Sequence, residues 1–233
     1  MQRKQFLRYM GAALGWVAVA PLLTACGGDD DSTTTTTPDT TVPPATTTPD
    51  TTLPPATSTL SAEEIAGLKF MREEEKLAHD VYVALYALYG NDDIFYRISL
   101  SETTHTEAIL ALLVKYGIPD PAAGKPAGVF EDPDLQALYD TLIAMGSASH
   151  IAALKVGALI EETDIRDINA KKAVTDEADI LTVYNSLLCG SQDHLRSFNS
   201  QLLALGVTYV PEVITQAAWD LIVGTPAGTC VAV

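Results

Sequence analysis

The stretch "SLSETTHTEAIL" (residues 99–110) sets a problem whose solution determines the architecture. Glu102 and His105 stand one helical turn apart in a row that otherwise holds Phe95, Ile98, Ile109, Leu112 and Tyr116, at alternating steps of three and four. That period is the apolar stripe of an amphipathic helix, so the acid and the imidazole point where the stripe points, into a core. A surface pair needs no explanation. A buried one does, because an isolated ionised group removed from water costs several kcal/mol.

The same period recurs in the segments around it. From Ser61, where "SAEE" has the form of a capping box with Glu64, the row Leu68, Met71, Glu75, Ala78, Tyr82, Leu85, Tyr89 predicts a first helix. Glu75 lies in its apolar row, with Glu73 and Lys76 on the outer, solvated face and Glu74 between. "GNDD" (90–93) ends this helix and starts the second, which runs to about Tyr116. Helices joined so briefly are antiparallel neighbours, so Glu75 and the Glu102/His105 pair face one interior. A connection rich in Pro and Gly follows from Gly117 to Ser147, with a short helix from Asp134 to about Met145.

A third helix, Ser149 to about Asn169, carries Ile151, Leu154, Ala158, Glu161, Ile165 and Ile168 on one stripe, with Asp164 beside it. A fourth, from about Asp176 to Leu205, carries Ile180, Val183, Leu187, Ser191, His194, Phe198, Leu202 and Leu205. The tail has room for a short helix over 215–223, and no strand pattern appears, so the fold class is all-α.

Each long helix therefore offers an ionisable residue to the interior: Glu75, Glu102 with His105, Glu161 with Asp164, and His194. A divalent cation compensates several buried acids at once, and oxygen-plus-imidazole ligation suits iron or manganese. Pairing with arginine is the competing explanation, with Arg97 and Arg196 as candidates and Glu75–Arg196 as the specific pair. Glu162 exchanges roles with Glu161 if the helix turns slightly. Tyr82 reads as a core tyrosine, with a redox relay as the alternative. His79 and His150 fall off the stripes and read as solvated, whereas Met71 and Met145 read as core.

These motifs resemble the ferritin-like superfamily, four-helix bundles that hold two carboxylate-bridged metal ions between one Glu from each of two helices and a Glu-x-x-His from each of the other two. "EKLAHDVY" (75–82) is similar to the first-helix motif of rubrerythrin-type proteins, and "ETTH" (102–105) is the second-helix motif unaltered. "EETD" (161–164) resembles the third, with Asp164 where an extra carboxylate occurs. "SQDH" (191–194) departs from the fourth, since Ser191 stands where its Glu belongs. More narrowly, "FMREEEKLAHDVY", "GALIEETDI" and "GSQDHLRSF" resemble the domain of unknown function 2202 (DUF2202) family over residues 61–222. The superfamily resemblance implies a ferritin-like four-helix bundle with a long connection between helices two and three. It also implies a di-iron or di-manganese site on Glu75, Glu102, His105, Glu161, Asp164 and His194, and redox chemistry: Fe(II) oxidation, or reduction of peroxide or oxygen. The alternatives are a single-metal bundle and a metal-free one that serves as an envelope binding module.

The start of the chain has another character. Arg3, Lys4 and Arg8 precede an apolar run from about Met10 to Leu23, the layout of a signal peptide over 1–25. "LTAC" (23–26) resembles a bacterial lipobox, which implies acylation of Cys26, and "RKQFLR" (3–8) resembles a twin-arginine signal with Lys4 in place of the second arginine. Ordinary cleavage with a free Cys26 is the alternative. Residues 26–60 are Asp, Thr and Pro with almost no large apolar side chain, and "TTTPDTTVPPA" (35–45) recurs as "TTTPDTTLPPA" (46–56). That composition cannot form a core and reads as a disordered, semi-extended stalk carrying the domain 61–233, at roughly 3 Å per residue up to about 100 Å from its anchor. The expected location is the cell envelope, exported and lipid-anchored to a bacterial membrane. A net charge of −16 repels nucleic acid phosphates and anionic lipid and is compatible with metal ions. A homodimer stays open. Cys189 and Cys230 form a disulfide or remain buried thiols.

Overall fold

A computed structural model describes residues 60–90 and 93–233 of the chain. The signal peptide, the lipobox with Cys26 and nearly all of the stalk lie outside them, as do Asn91 and Asp92 of the first turn. Leu60, assigned to the stalk, is described and is buried in the core.

The described residues form six helices and no strand: α1 (Ala62–Leu88), α2 (Asp93–Lys115), α3 (Pro133–Gly146), α4 (His150–Lys172), α5 (Ala178–Ala204) and α6 (Gln216–Val223). Local chemistry sets their ends. Ser61 Oγ accepts the Glu64 N–H while the Glu64 carboxylate accepts the Ser61 N–H, the capping box anticipated above. Asp132 caps α3 ahead of Pro133, whose missing N–H costs nothing in a first turn. Ser149 and Thr215 cap α4 and α6. α2 and α5 stop at Gly117 and Gly206, whose φ of 64° and 73° let the next amides, those of Ile118 and Val207, return to the carbonyls of Leu113 and Leu202.

α1 lies along α2 and α4 along α5, and the two pairs close into a bundle through α2 against α5 and α1 against α4. α3 covers the seam between α1 and α4 with Leu135, Leu138 and Leu142. That cover, with the tail on another side, buries α4 almost all round from Ala153 to Ile165, where a single stripe was expected. Ile151, at the exposed first turn of α4, and Leu205, beyond the end of α5, fall outside the core although both continue the apolar rows.

The outer face of α1 is a second departure. The connection after α2 folds back over it, so Glu73 is buried and accepts the N–H groups of Glu131 and Asp132. Lys76 reaches Asp80 and the Pro126 carbonyl, and Asp80 accepts the Gly128 N–H. Neither Glu73 nor Lys76 is a solvated charge. His79 bonds Asp80, and His150 packs at a tilt against Tyr89 and edge-on to Phe95, so these histidines also have structural partners. Met145 is only partly buried. The Cys189–Cys230 alternative resolves to a disulfide, with Cα atoms 5.1 Å apart, that ties the tail to α5.

Candidate metal centre

Glu75 comes from α1, Glu102 and His105 from α2, Glu161 from α4 and His194 from α5, and all five are buried. They meet because the apolar rows of four helices converge there and carry these side chains with them. Two trios result, Glu75–Glu102–His105 and Glu102–Glu161–His194, each with ligand atoms mutually within 4.8 Å. Glu102 belongs to both. Its Oε2 lies 2.7 Å from His105 Nδ1, and its Oε1 lies 2.8 Å from His194 Nδ1. Glu75 Oε2 is 3.1 Å from His105 Nδ1, Glu161 Oε2 is 3.4 Å from His194 Nδ1, and the imidazole centroids are 5.6 Å apart.

Several of these atoms lack a hydrogen-bond partner. Glu75 Oε1, Glu102 Oε1, Glu161 Oε2 and His194 Nδ1 are all buried and accept or donate no hydrogen bond. Glu102 Oε1 and His194 Nδ1 nevertheless approach to 2.8 Å as an ion pair.

Surrounding side chains orient the ligands. Tyr82 donates to Glu161 Oε1, which leaves the other carboxylate oxygen toward the trio, so this tyrosine is both core and hydrogen-bonded to the centre. His194 Nε2 bonds Ser101 Oγ at 2.9 Å, which turns Nδ1 toward the acids. His105 Nε2 lies against Gly190, where an added Cβ would come within 2.5 Å. The buried rings of Tyr82, Phe95 and Phe198 pack together, with centroids 5.5–6.5 Å apart, behind the Tyr82 hydroxyl that bonds Glu161.

The charges respond to one another. Burial pushes the Glu75 carboxyl up to about 7 against the pull of His105. Burial acts on Glu102 in the same direction, but His194 and His105 outweigh it and hold that carboxyl far below its usual range. Burial disfavours both imidazolium ions, yet Glu75 and Glu102 lift His105 to about 11, and Glu102 and Glu161 lift His194 to about 10. Burial raises Glu161, and it raises Tyr82, where the Glu161 charge adds to it.

The remaining expectations divide. Asp164 is buried but joins neither trio; it faces a small cavity together with Glu74. Glu162 accepts the backbone N–H groups of Glu212, Val213 and Ile214, which fixes the tail and takes this carboxylate away from the centre. Ser191 donates to the Leu187 carbonyl, so α5 brings only His194 to the two trios. The proposed Glu75–Arg196 pair does not form: Arg196 bonds Asp193 and the carbonyls of Ile222 and Thr229, and Arg97 is exposed. Sequence periodicity missed Ser101, Gly190 and Glu74. Only the tripled glutamate in "EEEK" hinted that Glu74 lies beside a stripe.

The description "Uncharacterized protein domain (DUF2202)" matches residues 64–226. The chain belongs to the DUF2202 family. It is 43% identical over 166 residues to the uncharacterized protein MJ0754 of Methanocaldococcus jannaschii, a match that covers 71% of this chain and 89% of the archaeal one. The crystal structure of hypothetical protein MJ0754 from Methanococcus jannaschii superposes with a TM-score of 0.71 at 42% identity, over 76% of this chain and 99% of that one. DUF2202 membership therefore covers every helix that supplies the centre.

Proposed function

We propose that this DUF2202 protein is a ferritin-like metal protein whose bundle holds two iron or manganese ions. Glu75 and His105 would hold one ion, Glu161 and His194 the other, with Glu102 shared. The observation that carries this reading is the pair of buried trios on four helices that share Glu102, several of whose ligand atoms make no hydrogen bond. Three carboxylates and two imidazoles fit such a pair in charge and donor type. The bound ions would supply one-electron chemistry, either oxidation of Fe(II) or reduction of oxygen or peroxide. The chain itself positions the ligands. Tyr82 holds Glu161, Ser101 holds His194, and Gly190 makes room for His105. Asp164 is assigned outside this pair.

Anaerobic Fe(II) titration of untagged, chelator-stripped protein tests the reading. Two ions per chain should depend on Glu102 and be lost in Glu102→Gln, and air should produce ferric near-ultraviolet absorbance only in the wild type. A second reading, a metal-free bundle acting as an envelope module, draws on Ser191 and on the two imidazolium ions that can neutralise the acids without metal. Absence of any metal uptake by a fully helical protein would establish that reading instead.

The same protein would be exported and held at a membrane by lipid. The basic start, apolar run and "LTAC" support export and acylation of Cys26, with residues 26–60 as the stalk. The Cys189–Cys230 disulfide suits an oxidising compartment. A Cys26→Ser variant released from the membrane fraction would bear this out; one retained there would refute the lipid anchor.

A further inference from the structure

We propose that Glu74 and Asp164 bind a third divalent cation, in the gap between α1, α3 and α4, using no ligand of the bridged pair. Both side chains are almost fully buried, at 2% and 1% exposure. Glu74 Oε1, Glu74 Oε2 and Asp164 Oδ2 have no hydrogen-bond partner. The two acids line one cavity of about 10 Å³, whose other walls include Leu77, Leu138, Leu142 and Ile160. That is room for a single sphere the size of a water molecule.

The surroundings offer the acids little else. Thr163 also lines the cavity, but its hydroxyl donates to the Leu159 carbonyl. Arg166, the positive side chain that acts on Glu74, is held by Asp167 through two hydrogen bonds of 2.8 and 2.7 Å, and the Asp167 carboxylate, within hydrogen-bond reach of Glu74, adds a further negative charge there. A lone water donates two hydrogens and cannot satisfy three unpaired oxygens. A divalent cation held between the two carboxylates would engage these oxygens and offset the cost of burying two acids among leucines. An all-oxygen donor set favours a hard divalent ion such as Mn(II) over an ion that prefers imidazole or thiolate.

The placement ties the two readings spatially but not chemically. Glu74 precedes Glu75 on α1, and Asp164 follows Glu161 by one turn of α4, so the cavity adjoins the bridged centre. Its donors are nevertheless distinct, and the two sites can be lost separately.

Equilibrium dialysis of the stripped, full-length protein against Mn(II), with manganese counted by atomic emission, tests this. The wild type should bind three ions per chain. Glu74→Gln should keep two, Glu102→Gln should keep one, and the double variant should keep none. Asp164→Asn should match Glu74→Gln, an independent check should either variant misfold, and helix content by circular dichroism accompanies every count. The third site is overturned if Glu74→Gln binds as many ions as the wild type, or if Asp164→Asn loses an ion that Glu74→Gln keeps. In the latter case Asp164 would be a ligand of the bridged pair. One ion in the wild type, kept in Glu102→Gln and lost in Glu74→Gln, would support this site while overturning the bridged pair.

Discussion

A methyl group at position 190 would lie 2.5 Å from His105 Nε2, so a single hydrogen atom on Gly190 decides whether the imidazole fits. Alanine is favoured over glycine inside a helix by about 1 kcal/mol. Gly190→Ala is therefore expected to leave the fold intact while displacing His105, weakening metal uptake about 10- to 100-fold, as read by titration beside a thermal melt. Titration behaviour at this scale has a definite sign. His105 and His194, lifted to about 11 and about 10, add stability to the metal-free protein that is complete below the ordinary imidazole value near 6.5 and lost as pH rises through 10 and 11. Glu75, raised to about 7, acts in the same direction, with stability lost as pH rises through that value. Glu102, held low, acts oppositely, and its contribution disappears only in strong acid. The melting temperature in chelator should fall between pH 7 and 11, while the increment given by Mn(II) should grow with pH because the ion replaces those protons. A chelated melting temperature that stays level across this range would contradict the protonated network.

Helix boundaries were legible because their signals are local. Ser61, Asp132 preceding Pro133, Ser149, Gly117 and Gly206 each act on atoms within a few residues, and the observed ends fall within about three residues of the expected ones. Which faces are buried was less legible. The outer face of α1 looks solvated by composition, yet the connection lies on it, pinned by Arg72 to Asp120, Glu73 to the amides of Glu131 and Asp132, Lys76 to the Pro126 carbonyl, and Asp80 to the Gly128 amide. The path of a Pro- and Gly-rich loop depends on contacts tens of residues away, which no local period encodes. Glu73→Ala removes the acceptor for two backbone N–H groups and should cost about 1–3 kcal/mol in urea unfolding. Helix content should be retained, with faster proteolysis between residues 117 and 132. Unchanged cleavage would show that the other pins suffice.

The tail closes the molecule from the other side. Cys189–Cys230 spans 41 residues, and Gln192 exchanges two hydrogen bonds with Val231 while Asp193 accepts the Gly228 N–H. Reduction should lower stability by about 4 kcal/mol on the chain-entropy estimate, without abolishing the fold, since the hydrogen bonds remain. Unfolding midpoints with and without reductant measure this; coincident midpoints would mean that the tail is held without the bond. The sequence by itself determined the all-α class, the four long helices and the identity of Glu75, Glu102, His105, Glu161 and His194 as inward-facing, because a period of 3.6 residues carries a side chain's direction in its spacing. Only the tertiary structure decided that Glu102 is shared by two trios, that Asp164 turns to Glu74, that Glu162 serves the tail and that Ser191 serves its own helix. Those outcomes depend on rotation and distance between helices, and a few ångströms separate a ligand from a neighbour that is none.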